Sequence, residues 1–191
     1  MFDGAFREGK EDFAHLEELE GVVSARSFEL LIQWMFTGRI IVGKVDPVVE
    51  IETVVEFAWL ADFCQVEGVE DLAAQHIKTV ILANPTPPEP AFTLHRHPDT
   101  NTCCIISRTI LWASFLPDGH AVRKILAMAV VESYLRSSKK HKFAKEAREV
   151  PNFANDVLDV VKVALSTLTG GYHGVVEFKD TITGMVLKAR E

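Results

Sequence analysis

The stretch Ser27–Ile40, SFELLIQWMFTGRI, decides how the rest of the chain is read. Phe28, Leu31, Ile32, Met35 and Phe36 recur at the spacing that lines up side chains on one stripe of an α-helix. Leu30 and Trp34 form a second stripe beside the first, so the helix is expected to pack on two sides. Ser24 is placed to cap its start, because its hydroxyl accepts from an otherwise orphaned amide of the first turn. Thr37-Gly38 stops it, with glycine free to take the left-handed conformation past the last turn. Phe28, Leu31, Trp34, Met35, Phe36 and Gly38 are therefore expected in the structural core, Gly38 as the residue that closes the helix. None of these side chains is a catalyst.

Outward from this helix, Arg39–Val42 is short, apolar and β-branched, and Gly43 with Asp46-Pro47 signals a loop. A second helix is predicted from about Val48 to Gln65, and a third from about Val69 to Ala83. Asn84-Pro85 ends the third, since a residue before proline avoids the α region. On the amino-terminal side, Phe13, Leu16 and Leu19 predict a short strand somewhere within 13–19. Residues 85–103 read as a linker, because the four prolines of PTPPEP forbid a helix and favour an extended path. Beyond it, helices are predicted from Ser107 to Phe115, over 120–136 and over 152–168. GVVEFKD and TGMVLKA then read as two strands around a turn at Asp180–Gly184. The fold class is thus α+β, mostly α: a helical unit over 1–84, the linker, and a helical region over 104–191 with a terminal β-hairpin.

Charge supports two regions. The net charge of −7 over 191 residues divides into −11 for residues 1–90 and +4 for residues 91–191. An acidic first half repels phosphates and argues against nucleic acid there. No apolar run approaches the ~18 residues of a membrane span, and MFDGAFREGKED lacks the apolar centre of a signal peptide. Three cysteines, two of them adjacent, are a poor disulfide framework and favour a reducing, intracellular compartment, cytoplasm or nucleus.

Three segments carry the order and spacing of a known pattern: MFDGAFREGKE (Met1–Glu11), FELLIQWMFTGRI (Phe28–Ile40) and VVEFAWLADFCQVEGVEDLAAQHI (Val54–Ile77). Residues 1–83 resemble the later part of a BTB/POZ domain of the kind found in filamentous fungi. Residues 105–168 loosely resemble the region carboxyl-terminal to the domain in those fungal proteins. Phe36 stands where the family has tyrosine. The family's opening strand hairpin and first helical elements have no counterpart, so the resemblance implies a truncated unit, whether a shortened gene product, a fragment or an intact variant. It also implies protein partners. These are a homo-oligomer or, through the hydrophobic-x-Glu pattern of Phe6-Arg7-Glu8, a cullin scaffold gripped by a ubiquitin-ligase adaptor. The alternatives are a homotypic scaffold in transcriptional or chromatin regulation and a remnant without autonomous function.

Other constellations have plainer explanations. His95, His97, Cys103 and Cys104 are zinc-type ligands, but adjacent cysteines do not easily share one tetrahedral ion. Lys139, Lys140, Lys142, Lys145 and Arg148 surround Phe143, a basic run that suits an anionic surface or, more simply, a solvated helix face. His76, on an inward helix face, is expected to be a hydrogen-bonded core residue. No phosphate loop, nucleophile elbow or zinc-protease motif occurs. The expectation is a binding protein, not an enzyme, without cofactor or metal.

Overall fold

A computed structural model describes residues 24–86, 100–136, 141–170 and 176–189. Seven helices and three short strands occur among them. These are α1 (Ala25–Thr37), α2 (Pro47–Phe63), α3 (Glu70–Ala83), α4 (Ser107–Ala113), α5 (Ala121–Arg136), α6 (Glu146–Glu149), α7 (Phe153–Leu165), β1 (Thr169–Gly170), β2 (Val176–Lys179) and β3 (Val186–Lys188). A 3₁₀ turn at Thr100–Thr102 precedes α4. The expected class, mostly helical with a small antiparallel sheet at the carboxyl end, is what the fold shows.

Helix α2 is the centre. Every residue from Ile51 to Ala58 is buried, Glu52 and Glu56 included. A helix whose residues are buried all round must be covered on several sides, and α1, α3 and α4 each pack on it. Its start is fixed locally: Asp46 Oδ1 accepts from the Val48 amide at 2.8 Å, and Pro47 supplies a preset φ where no amide is needed. The connection to α3 turns at Gln65 (φ 55°) and Gly68 (φ 82°). Helix α3 opens with Glu70 and Asp71, whose charges suit the positive end of the helix dipole.

The second half completes the same core. Helix α5 packs on α3 and α7, and the buried side chains of α1, α2 and α3 form one cluster with those of α4, α5, α7 and the sheet. The charge imbalance between the halves is spent partly on their contact. Arg108 of α4 donates through Nε and Nη2 to the two carboxylate oxygens of buried Glu52 on α2, at 2.6 and 2.7 Å.

Two features differ from expectation. Residues 100–102, inside the stretch read as linker, are buried under α3 and α5. The Thr86 amide donates to the Thr100 carbonyl at 3.1 Å, and Lys142 Nζ donates to the carbonyls of Thr102 and Ile105 at 2.6 and 2.9 Å. Paired backbone lets so polar a segment be buried. Second, Phe28, Met35, Phe36 and Gly38, expected in the core, are exposed, while Leu31 is buried and Trp34 half-buried. Helix α1 carries two apolar stripes but packs chiefly on α2 among the described helices. The buried stripe is Ser27, Leu30 and Leu31, with Trp34 continuing it.

The terminal hairpin forms as predicted, with β1 added. The order is β1-β2-β3, all antiparallel, and Phe178 pairs with Leu187 on the buried face. It is anchored by a polar knot. Asn101 Nδ2 lies 3.2 Å from Glu132 of α5 and 3.1 Å from Asp180 of the hairpin turn, and Arg136 Nη1 donates to Glu132 at 2.6 Å. Asp180 also accepts from the Thr183 amide at 3.0 Å, closing the turn that Gly184 completes at φ 71°.

Candidate functional site

The outward side of α1 is the first candidate. Ser24 and Ser27 cap the helix reciprocally: each side chain accepts from, or donates to, the other's backbone, so the first turn is closed at both residues. Glu56 of α2 then ties the cap down, accepting from the Ser24 hydroxyl and, at 3.2 Å, from the Ser24 amide. Burial pushes the Glu56 carboxyl above the ordinary range, against the lowering effect of those hydrogen bonds. At the other end the Gly38 amide donates to the Trp34 carbonyl at 2.7 Å with φ 63°. A β-carbon there would meet open space, so the glycine serves the backbone conformation.

Held at both ends, α1 presents Phe28, Ile32, Met35 and Phe36 at helical spacing to the outside. Phe36 is 85% exposed and Met35 63%, with exposed Ile41 just beyond the cap. Trp34, on the inner side, has its ring near Gly68 and its Nε1 buried without a hydrogen-bond partner among the described residues. Single exposed apolar side chains are ordinary, whereas here four stand together along one helix.

A polar cleft system lies about the start of α5. His120 stands at the N-cap position of α5: its carbonyl accepts from the Lys124 amide at 3.1 Å and its Nδ1 accepts from the Val122 amide at 3.1 Å. The Ala121 amide is taken by Glu70 Oε1 of α3. Below it Arg123, only 4% exposed, donates to Asp156 of α7 through Nε and Nη2 at 3.0 and 2.9 Å. Its Nη1 donates to Asp118 at 2.6 Å and to the Leu116 carbonyl at 3.1 Å. His120 forms a wall shared by two open clefts of about 470 and 500 Å³. Neither residue is among those that motif and spacing single out. The signal available was a charged Arg123 set among Val122, Ile125 and Leu126, on the apolar side of the helix.

Burial holds the His120 imidazole below its ordinary value, and the nearby Arg123 charge acts the same way, while Glu70, Asp62 and Asp71 pull the other way. Asp118 and Asp156, the partners of Arg123, and Lys124 complete the charged surroundings. A depressed histidine stabilises the fold above its unfolded value of about 6.5 and loses that contribution as pH falls through the folded value. Protonation at Nδ1 also forfeits the cap. Thermal melts of the protein are therefore expected to fall more steeply below pH 6.5 than those of His120→Asn, whose amide oxygen keeps the cap without titrating. Parallel pH profiles for the two proteins would remove His120 from this role.

Of the other expected residues, several lie outside the described ones: Phe6, Arg7 and Glu8, His95 and His97, Lys139 and Lys140, and the strand placed within 13–19. Cys103 is exposed and Cys104 buried. Burial, with Cys103 beside it, pushes the Cys104 thiol up to about 11, and its Sγ points to the Asn84 carbonyl at 3.8 Å. No three His, Cys, Asp or Glu side chains gather as a metal set among the described residues. The basic run is dispersed: Lys142 holds backbone carbonyls, Phe143 is fully buried, and Lys145 pairs with Glu149 at 3.6 Å. His76 Nε2 sits 2.8 Å from Glu50 Oε1, half-buried and hydrogen-bonded. No helix among the described residues is long and apolar enough to cross a membrane.

No protein-family profile, curated protein or solved structure matches the chain.

Proposed function

We propose that the chain is a protein–protein interaction module, working inside the cell, whose docking surface is the outward row of α1. The observation that carries this is the alignment of Phe28, Ile32, Met35 and Phe36 on one solvent-facing stripe of a helix capped at both ends. A capped, packed helix offers a partner a preorganised surface, so little ordering entropy opposes binding. Aromatic and methionine side chains are also the residue types enriched at the centres of protein interfaces.

The partner we assign is the amino-terminal domain of a cullin, with the chain as substrate adaptor of a ubiquitin ligase. This rests on the BTB/POZ-like motifs and on Phe6-Arg7-Glu8. The competing reading is a homotypic scaffold in transcriptional or chromatin regulation, and the same stripe favours it equally, because a row of apolar side chains can pair with its own copy. One pair of variants separates the readings. Met35→Glu combined with Phe36→Glu is expected to change stability by no more than about 0.5 kcal/mol, since both side chains already face water. As adaptor, the unmodified protein retains a purified cullin amino-terminal domain on a column and the double variant does not. As scaffold, the cullin is not retained, but the mass by light scattering doubles with concentration and the double variant stays monomeric. If neither the cullin nor a second copy binds, the interaction reading fails.

A further inference from the structure

The cleft of about 500 Å³ opens where α2 turns into α3, and Asp62, Glu67, Glu70 and His120 stand in its walls. Three carboxylates line it, and no lysine or arginine does. Asp62 and Glu67 are exposed, and one oxygen of Glu70 accepts from the Ala121 amide. An anion is repelled from such a cleft and a cation is drawn in. Carboxylates on a surface attract any cation, though, and only weakly. The histidine makes the cleft selective. His120 is 8% exposed, and its Nδ1 accepts from the Val122 amide at 3.1 Å. That bond places the ring proton on Nε2, which is therefore a donor. Nε2–H meets no acceptor among the described residues, yet unlike the Trp34 indole nitrogen it is not sealed from solvent. Of the surrounding charges, those of Glu70 and Asp62 act most strongly on the ring, which puts it on the acidic side. A simple cation would meet the carboxylates and leave this donor empty. A ligand that joins a cation to a neighbouring acceptor meets both.

We infer that this cleft binds an α-ammonium group together with the carbonyl beside it, the pair found at the amino terminus of a peptide. Asp62 and Glu67 take the ammonium, and His120 Nε2 donates to the carbonyl. An ammonium donates to a carboxylate in a charge-assisted hydrogen bond, stronger than a neutral one. A free α-amino acid fits less well, because its own carboxylate meets three like charges. The site is distinct from the α1 row and does not depend on what that row binds.

The probes are alanyl-alanine amide, its N-acetylated form, alaninamide and free alanine, titrated into the full chain by calorimetry. Alanyl-alanine amide is expected to bind, and the N-acetylated form and free alanine to bind about tenfold more weakly or worse. Alaninamide carries the same ammonium and carbonyl without a following residue. Tighter binding of the dipeptide identifies a peptide terminus as the source, and equal binding of alaninamide identifies a small amino amide. His120→Asn keeps the cap of α5 through its amide oxygen and removes the Nε2 donor, so it should weaken alanyl-alanine amide about five- to tenfold. Asp62→Asn combined with Glu67→Gln changes two exposed side chains and reads the site even where His120→Asn does not fold. It should weaken the same probe about tenfold or more and flatten the dependence of affinity on salt. No binding of either unacetylated amide overturns the inference. So does equal binding of the N-acetylated form, or an unchanged affinity in the Asp62, Glu67 double variant or in folded His120→Asn.

Discussion

Arg123→Met is expected to cost about 3 kcal/mol, the low end of the ~3–5 kcal/mol seen when one partner of a buried pair is removed. Methionine fills much of the arginine stem's volume, so packing is largely kept, and the loss is electrostatic. Asp156, half-buried and already pushed upward in pKa by burial, loses two donors at once. The Leu116 carbonyl loses its donor as well. Asp118 is exposed and adds little. Lysine should not rescue, because one ammonium cannot reproduce the fork that meets both oxygens of Asp156. At this size ~3 kcal/mol corresponds to a fall in Tm of about 6–12 °C. Urea unfolding checks the figure. Adding Asp156→Leu to Arg123→Met should recover part of the loss, since the stranded carboxylate is then gone. A loss under about 1 kcal/mol would show that α5 and α7 are held by apolar contact alone.

Phe57→Ala is expected to cost about 3–5 kcal/mol. Phe57 is fully buried at the middle of α2, which α1, α3 and α4 cover from three directions. The cavity has little room to close, because its walls are helices fixed elsewhere by caps and by the Arg108–Glu52 pair. The total stability of a domain is about 5–15 kcal/mol, so this variant is expected to sit close to unfolding at 37 °C. Phe36→Ala is the control. It removes a phenyl ring of the same size from open solvent, and its cost should stay within about 0.5 kcal/mol. Chemical denaturation of the two variants side by side checks both; near-equal losses would contradict the burial pattern of α1 and α2.

What could be read from residue order alone was whatever local chemistry decides. Asp46-Pro47 marks the start of α2, Asn84-Pro85 the end of α3, and Ser24 with Gly38 the two ends of α1, because capping and proline geometry act within a few residues. The hairpin was legible for the same reason: two short apolar-rich segments bracket a turn with a glycine at positive φ. Choices made by distant neighbours were not legible. Periodicity found both stripes of α1 but could not say which one α2 would cover. The burial of Thr100–Thr102 depends on Thr86 and Lys142, which lie 14 and 40 residues away from the carbonyls they hold. Nothing near Arg123 in the sequence points to its partner, since Asp156 lies 33 positions on. The charge asymmetry suggested separation, and the Arg108–Glu52 contact shows that opposite balances in two halves of a chain also serve to join them.

Helix α2 has a consequence for how the protein is made. Its apolar surface is complete once Phe63 is synthesised, yet α4, which covers one side of it, begins at Ser107. A ribosome working at ~5–20 residues per second takes several seconds to supply that cover. During that interval a largely apolar helix stands partly uncovered on a nascent chain. Cells that depend on this protein would be expected to shield it with a chaperone, and shorter versions ending near residue 86 should emerge as aggregates.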